Sequence, residues 1–209
     1  MDCLLIAISG KLGSGKDYLM EHYFLPRVDP DAGVTKMAFA DQLKINVASK
    51  TGASLADCLS GNKSAELRRE LQLEGTERGR DLYGPDIWVT ALENWVRLRK
   101  IRGDQFKIVL ITDCRFPNEA QWVEDNGGFL LRIEAPDRTR TRLEAESKGD
   151  PKLAASIGSH LSETALDNYS FRYKVDNSSE RDTVRQEAMA CLDKYLCEHP
   201  EFKDLFTPV

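Results

Sequence analysis

Residues Gly10-Lys11-Leu12-Gly13-Ser14-Gly15-Lys16-Asp17 fit the pattern G-x-x-x-x-G-K, the spacing of a loop that cradles phosphate oxygens. Glycines let the backbone curl until consecutive N–H groups face one anion, and the N-terminus of a following helix adds positive charge. Gly10, Lys11, Gly13, Ser14 and Gly15 form the cradle, and Lys16 is the point charge for the outer phosphates. Asp17 stands where the general motif carries Ser or Thr to ligate magnesium, so it either reaches the metal through water or takes no part.

A second chemical cluster follows the apolar run Lys107–Thr112. Asp113 comes directly after it, at the carboxyl end of an expected strand, which suits an acid that orders magnesium; the alternative is a cap on the turn that follows. Arg115 points a guanidinium at the same mouth, for bidentate phosphate binding or for an ion pair with Glu119. Arg138, Arg140 and Arg142 recur at every second position and would close over a transferring phosphoryl group, or else form a solvated helix face. Residues 137–160, basic at the start and rich in Gly, Ser and Ala afterwards, read as a lid or as an ordinary surface helix and loop.

The elements that position these groups alternate. Cys3–Ser9 is a strand with no polar alternation, so it is covered on both faces, and a helical pattern runs from Lys16 to Phe24. Val34–Phe39, Lys107–Thr112, Phe129–Ile133 and Tyr173–Val175 are further strands, and Asn118–Glu124 and Arg181–Leu196 further helices. Residues 41–100 read as mostly helical, with Trp88, Val89, Leu92, Trp95 and Val96 at helical spacing; Trp95 reads as core, and Trp88 as core or as a base-stacking ring. Strand–helix alternation predicts an α/β fold with a central parallel sheet, helices on both faces and ligands at the carboxyl ends of the strands.

At 209 residues, 41% hydrophobic and 30% charged, the chain is expected to be one globular domain over 1–209, and collagen, coiled coil and wholesale disorder are excluded. A net charge of −5 gives no basic bias for a nucleic acid polymer or an anionic membrane. The odd set Cys3, Cys58, Cys114, Cys191 and Cys197, with no C-x-x-C pair, reads as reduced thiols of a cytoplasmic protein. His22, His160 and His199 have no cysteines at zinc-ligand spacing. No apolar run reaches membrane-span length, and the N-terminal residues lack the pattern of a signal peptide.

Five blocks occur in order: Ser9–Asp17, Leu71–Arg80 (LQLEGTERGR), Trp88-Val89, Thr112–Ala120 (TDCRFPNEA) and His160–Asp167 (HLSETALD). On these blocks the chain resembles the deoxynucleoside monophosphate kinases of phages and large viruses, and shares part of the pattern with the related phosphomevalonate kinases. Asp17 belongs to the resemblance, since SGKD is part of it; the missing basic residues just before SGKD, where only Lys11 stands, are a departure. The resemblance implies a P-loop kinase fold with a helical acceptor-binding region at 41–100 and a lid at 137–160. It implies ATP and magnesium as cofactors, with Asn177 joining the ATP-binding loop and Asp17 and Asp113 serving the metal. It implies an acceptor site drawn from Asp41, Lys44, Arg69, Gln72, Thr76, Arg80, Trp88, Arg115, His160 and Glu163. Gln72 and Thr76 would bond a base edge, and Arg69, Arg80 and Arg115 would grip the acceptor phosphate. The host cytoplasm is the implied location if the source is viral, and a homodimer is compatible with it.

A nucleotide phosphate acceptor already carries its nucleophilic oxygen charged at neutral pH, so the reaction needs positioning and charge cancellation rather than a general base. The expected activity is therefore transfer of the γ-phosphate of ATP to a deoxynucleoside 5'-monophosphate for DNA precursor synthesis. The alternatives are a phosphomevalonate kinase-like enzyme for another small phosphorylated acceptor, and a non-catalytic module that holds a nucleotide as ligand or switch.

Overall fold

A strand without polar alternation needs cover on both faces, and Leu4–Gly10 (β1) is buried at all seven positions. The structure, a computed structural model, describes residues 2–60, 63–178 and 180–207, so the outermost positions of the expected 1–209 domain and Gly61-Asn62 of the expected helical region lie outside them. The chain divides into two compact units, Met1–Lys36 with Phe106–Val209, and Met37–Gln105.

In the first unit β1 leads into Lys16–Leu19 (α1), whose helical path continues through a π turn at Met20–Phe24 and a 3-10 turn at Leu25–Arg27; Val34–Lys36 forms β2. The second unit is helical: Asp41–Thr51 (α2), Leu55–Leu59 (α3), Ala65–Gly75 (α4), a π turn at Thr76–Arg80, Asp81–Tyr83 (α5) and Ile87–Ile101 (α6). The first unit resumes with Ile108–Cys114 (β3), Pro117–Asp125 (α7), Phe129–Glu134 (β4), Pro136–Glu146 (α8), Pro151–Gly158 (α9), Leu161–Thr164 (α10), Tyr173–Asp176 (β5) and Arg181–Glu198 (α11).

All pairings within the five-stranded sheet are parallel, in the order β2-β3-β1-β4-β5. Burial follows from that order. The inner strands β1, β3 and β4 are buried almost throughout, whereas the edge strand β5 alternates buried and exposed residues. One sheet face joins Leu4, Ile6, Ile8, Leu110, Phe129 and Leu131 to Leu19, Met20 and Phe24 of the first helical run and to Val184, Ala188 and Leu192 of α11. On α7, Ala120 and Val123 are fully buried, and Gly128 is forced by packing, since a Cβ there would sit 2.8 Å from Val123 Cγ1 and 2.9 Å from Leu5 Cβ.

One strand is shorter than its sequence suggests. Val34–Phe39 reads as a strand, yet β2 ends at Lys36. The Ala38 N–H donates to Asp41 Oδ2 at 2.8 Å and the Asp41 N–H to the Ala38 carbonyl at 3.1 Å, so the apolar residues 37–39 enter a turn that starts α2. Residues 137–160 form helices: α8 ends in the left-handed pair Lys148 and Gly149, and α9 begins at Asp150, which caps the Lys152 and Leu153 amides ahead of Pro151.

Candidate functional site

The phosphate loop folds as its glycines require. Gly13 and Gly15 take φ values of 75° and 93°, in the left-handed region, and Gly15 directly precedes α1. Gly10 is bare for another reason: a Cβ there would lie 2.5 Å from Ser14 Oγ and 2.7 Å from the Ile133 carbonyl. Ser14 is 1% exposed, and its Oγ has no hydrogen-bond partner among the described residues. A buried hydroxyl without a partner, beside a left-handed loop and a buried lysine, fits a phosphate group.

Lys16 is buried against its own loop, donating to the Gly10 carbonyl at 2.7 Å and the Lys11 carbonyl at 3.0 Å. Burial pushes its ammonium down to about 8 from an ordinary 10.5, and Arg115 pushes the same way. Glu163 and Asp17 oppose that shift, and Arg132 adds a smaller downward push. Lys16 thus sits buried among two arginines and two carboxylates.

Two carboxylates and one amide brace the loop. Glu163 Oε2 accepts the Leu12 N–H at 2.8 Å while Oε1 pairs with the Arg115 guanidinium. Asp167 takes Lys11 Nζ at 2.8 Å and lies 3.6 Å from Arg132, which donates to Ser9 Oγ at 3.1 Å and sits over the Phe171 ring. Asn177 Nδ2 donates to the Ser14 carbonyl at 2.8 Å. His160 caps α10 through its Nδ1, which accepts the Ser162 N–H at 3.2 Å. As for the ion pair with Glu119 weighed for Arg115, Glu119 instead accepts the Arg115 and Phe116 amides at 2.7 and 3.1 Å, and the guanidinium turns to Glu163.

Helix α8 lies on the loop. A Cβ on Gly13 would sit 2.7 Å from Arg142 Cβ, and one on Gly15 would lie 3.7 Å from Arg138 Nη1. Arg138 thus reaches the loop, and Arg142 packs its stem on it while its Nε donates to Glu146 at 2.9 Å. Arg140 departs from the expectation of three arginines closing together. Two residues along a helix is about half a turn, so Arg140 leaves the opposite side, mostly exposed, with Asp137 at 3.0 Å. It lines a cleft of about 1260 Å³ with Lys11, Arg132, Leu143, Asp167 and Phe171.

The candidate metal ligands stand apart in kind. Asp17 is exposed on α1, and Asp113 is half-buried on β3, where the β1 pairing passes from Ala7↔Ile111 to Ser9↔Cys114 and so slips by one residue. Such a bulge re-aims side chains beside a site. Among the described residues no group of three or more His, Cys, Asp and Glu gathers to hold a metal; one or two carboxylates with phosphate oxygens are what magnesium ordinarily takes, and Asp17 and Asp113 fit that donor set. Burial pushes the Cys114 thiol well up, which leaves it unreactive.

The remaining acceptor candidates belong to the helical unit. Asp41 caps its own turn and lies 3.4 Å from Lys44, Arg69 is exposed on α4, and Gln72 and Thr76 are half-buried. Arg80 Nη1 and Trp88 Nε1 both donate to the Gly75 carbonyl, at 2.7 and 2.9 Å, which binds the π turn to α6. Trp88 is 3% exposed against Gly79, so it is core and presents no stacking face; Trp95, read as core, is 37% exposed and donates to Gln42 instead. Both fit helical spacing, but Val89, Leu92 and Val96 share the buried face with Trp88.

Arg132, Asp167 and Ser9 are site residues that sequence reasoning missed as a network. A charge inside the apolar run Phe129–Ile133 was the available signal for Arg132, because a buried guanidinium requires partners.

No protein-family model matches the chain. Over 97 residues it is 41% identical to the deoxynucleoside-5'-monophosphate kinase of Escherichia phage T5, a match covering 44% of this chain and 37% of that protein. The chain thus spans little more than a third of that relative's length. TT1252 from Thermus thermophilus superposes with a TM-score of 0.55 at 13% identity, covering 94% of this chain and 99% of that one. A gluconokinase from Sinorhizobium meliloti 1021 gives 0.47 at 12% identity over 97% of each chain, below the level at which a shared fold follows. No helix among the described residues is long and apolar enough to cross a membrane. Sheet order, loop geometry and the TT1252 likeness give the chain an α/β fold with a parallel sheet and a P-loop, and its sequence resembles a deoxynucleoside monophosphate kinase over nearly half its length.

Proposed function

We propose that the protein is a phosphotransferase that moves the γ-phosphate of ATP to a deoxynucleoside 5'-monophosphate. The observation that carries this reading is the convergence of cations on the loop: Lys16 with Arg115 and Arg132 as charged neighbours, and Arg138 beside Gly15. A nucleotide held only as a ligand needs the loop and its lysine. Several guanidiniums from the turn after β3, from β4 and from α8 suit a second phosphate group and the charge that spreads over three equatorial oxygens during transfer.

The loop amides and Lys16 hold the donor phosphates, Asn177 keeps the loop in shape, and Arg138 faces the transferring group. Arg115 grips the acceptor phosphate. Asp113 with Asp17 are the residues that would hold magnesium, which would supply positive charge to offset that of the phosphates. The acceptor oxygen enters already ionised, so no side chain has to take a proton.

Coupled ADP release from folded protein, with magnesium, across the four common deoxynucleoside monophosphates tests the reading. Turnover with at least one is expected, as is a raised magnesium requirement in Asp113→Asn. Turnover with phosphomevalonate alone in the same panel would replace the acceptor class, and ATP binding without monophosphate binding or product would replace catalysis by a nucleotide-binding role.

A further inference from the structure

We propose that Glu163 is a positioning residue, one carboxylate that ties the Leu12 amide of the phosphate loop to the Arg115 guanidinium at the end of β3 so that loop and arginine act as a unit. The role deepens the phosphotransferase reading and rests on it only for its kinetic consequence.

Glu163 is poorly suited to touch an anionic acceptor. Its side chain is 9% exposed, and both oxygens are engaged, Oε2 by the Leu12 N–H at 2.8 Å and Oε1 by Arg115. A carboxylate facing a phosphate is repelled, whereas one that faces a cation and an amide is held in place. The two groups it joins lie in separate elements, the loop after β1 and the turn after β3, and Glu163 itself comes from α10, capped by His160. Four residues later Asp167 repeats the arrangement on the neighbouring loop residue, taking Lys11 Nζ at 2.8 Å with Arg132 at 3.6 Å. Lys11 and Leu12 are two of the four positions that the motif leaves free, and the segment 160–167 holds both.

The decisive measurement uses the full chain without nucleotide, and so stands apart from whether it is a kinase. Amide exchange reports the Leu12 N–H that Glu163 accepts. Glu163→Ala is expected to speed Leu12 exchange at least tenfold, with Glu163→Gln in between because its amide oxygen still accepts. Unchanged Leu12 exchange in variants with wild-type circular dichroism would overturn the proposal. Given turnover, Glu163→Gln should lower kcat roughly 10- to 100-fold, the scale at which misplacing a transition-state charge is felt. The KM for ATP should move less than threefold, and Glu163→Asp should recover part of the loss. A kcat unchanged in Glu163→Gln would equally overturn it. If no acceptor turns over at all, the phosphotransferase reading fails while the Leu12 measurement still decides the role of Glu163.

Discussion

Asn177 Nδ2 donates to the carbonyl of Ser14 over 2.8 Å, joining the turn after β5 to the tip of the phosphate loop across 163 positions of sequence. A Cβ on Gly15 would meet that same nitrogen at 2.6 Å, so the brace and the glycine depend on one another. Asn177→Ala leaves a buried carbonyl without its donor, at a cost of about 1–3 kcal/mol. Thermal unfolding should report that loss, and ATP affinity should fall with it; a variant that loses stability but binds ATP normally would make the brace structural only.

Lys16→Ala should lower kcat by roughly 10²-fold or more, since a preorganised charge at a transferring phosphate contributes ~3 kcal/mol. The fold should persist, because the β1, β3 and β4 core does not use this side chain. Wild-type turnover in the variant would remove the loop from catalysis.

The buried ammonium also sets a pH dependence. With a folded value of about 8 against an ordinary 10.5, the unfolded chain binds more protons between those limits. Stability contributed by this group therefore rises with pH across that window, and the penalty is fully present below it. Phosphate binding runs the other way, weakening as the ammonium is lost above about 8. Denaturant titrations of wild type and Lys16→Met from pH 7 to about 10.5 isolate the first effect as a difference that shrinks with pH.

Gly13 carries two constraints at once, a φ of 75° and a contact with α8 that would bring a Cβ within 2.7 Å of Arg142 Cβ and 3.1 Å of the Arg138 carbonyl. Gly13→Ala is expected to cost about 1–3 kcal/mol from backbone strain and overpacking together. Because α8 has to shift, turnover should fall more than stability explains. Protease sensitivity of the segment 137–160 would report the shift, and an unchanged pattern would place α8 elsewhere in solution.

The arginines of α8 should separate by position. Arg138→Ala is expected to reduce kcat by about 10²-fold or more, through a charge lost beside Gly15. Arg140→Ala, on the exposed side with Asp137, should stay within about twofold, as surface pairs contribute little. Equal losses from both would mean that α8 turns a different face to the substrate.

Trp88→Ala should destabilise the helical unit by about 3–5 kcal/mol, the scale for a buried aromatic side chain. Trp95→Ala should cost under about 1 kcal/mol, since its ring is partly exposed and its partner Gln42 returns to water. Urea denaturation with fluorescence of the remaining tryptophans measures both.

The phosphate loop and its strand–helix setting were legible in the sequence because each is local, and the parallel sheet because strands alternate with helices along the chain. Gly10, Gly13 and Gly15 answer backbone needs within one turn, and an apolar run such as Leu4–Ile8 can only be an inner strand. Strand ends were legible to within a residue or two except at Phe39, where a side-chain cap from Asp41 overrode apolar character. Helical spacing put Trp88 and Trp95 in one pattern, yet which of them turned inward depended on Gly79 and the Gly75 carbonyl, contacts with other segments. Only the tertiary structure decided the partners of charge: Glu163 with Leu12 and Arg115, Asp167 with Lys11 and Arg132, Arg140 away from Arg138. An ion pair between residues 156 positions apart, Lys11 and Asp167, leaves no periodic trace in the chain, since its strength depends on burial and distance that the sheet creates only once it has folded.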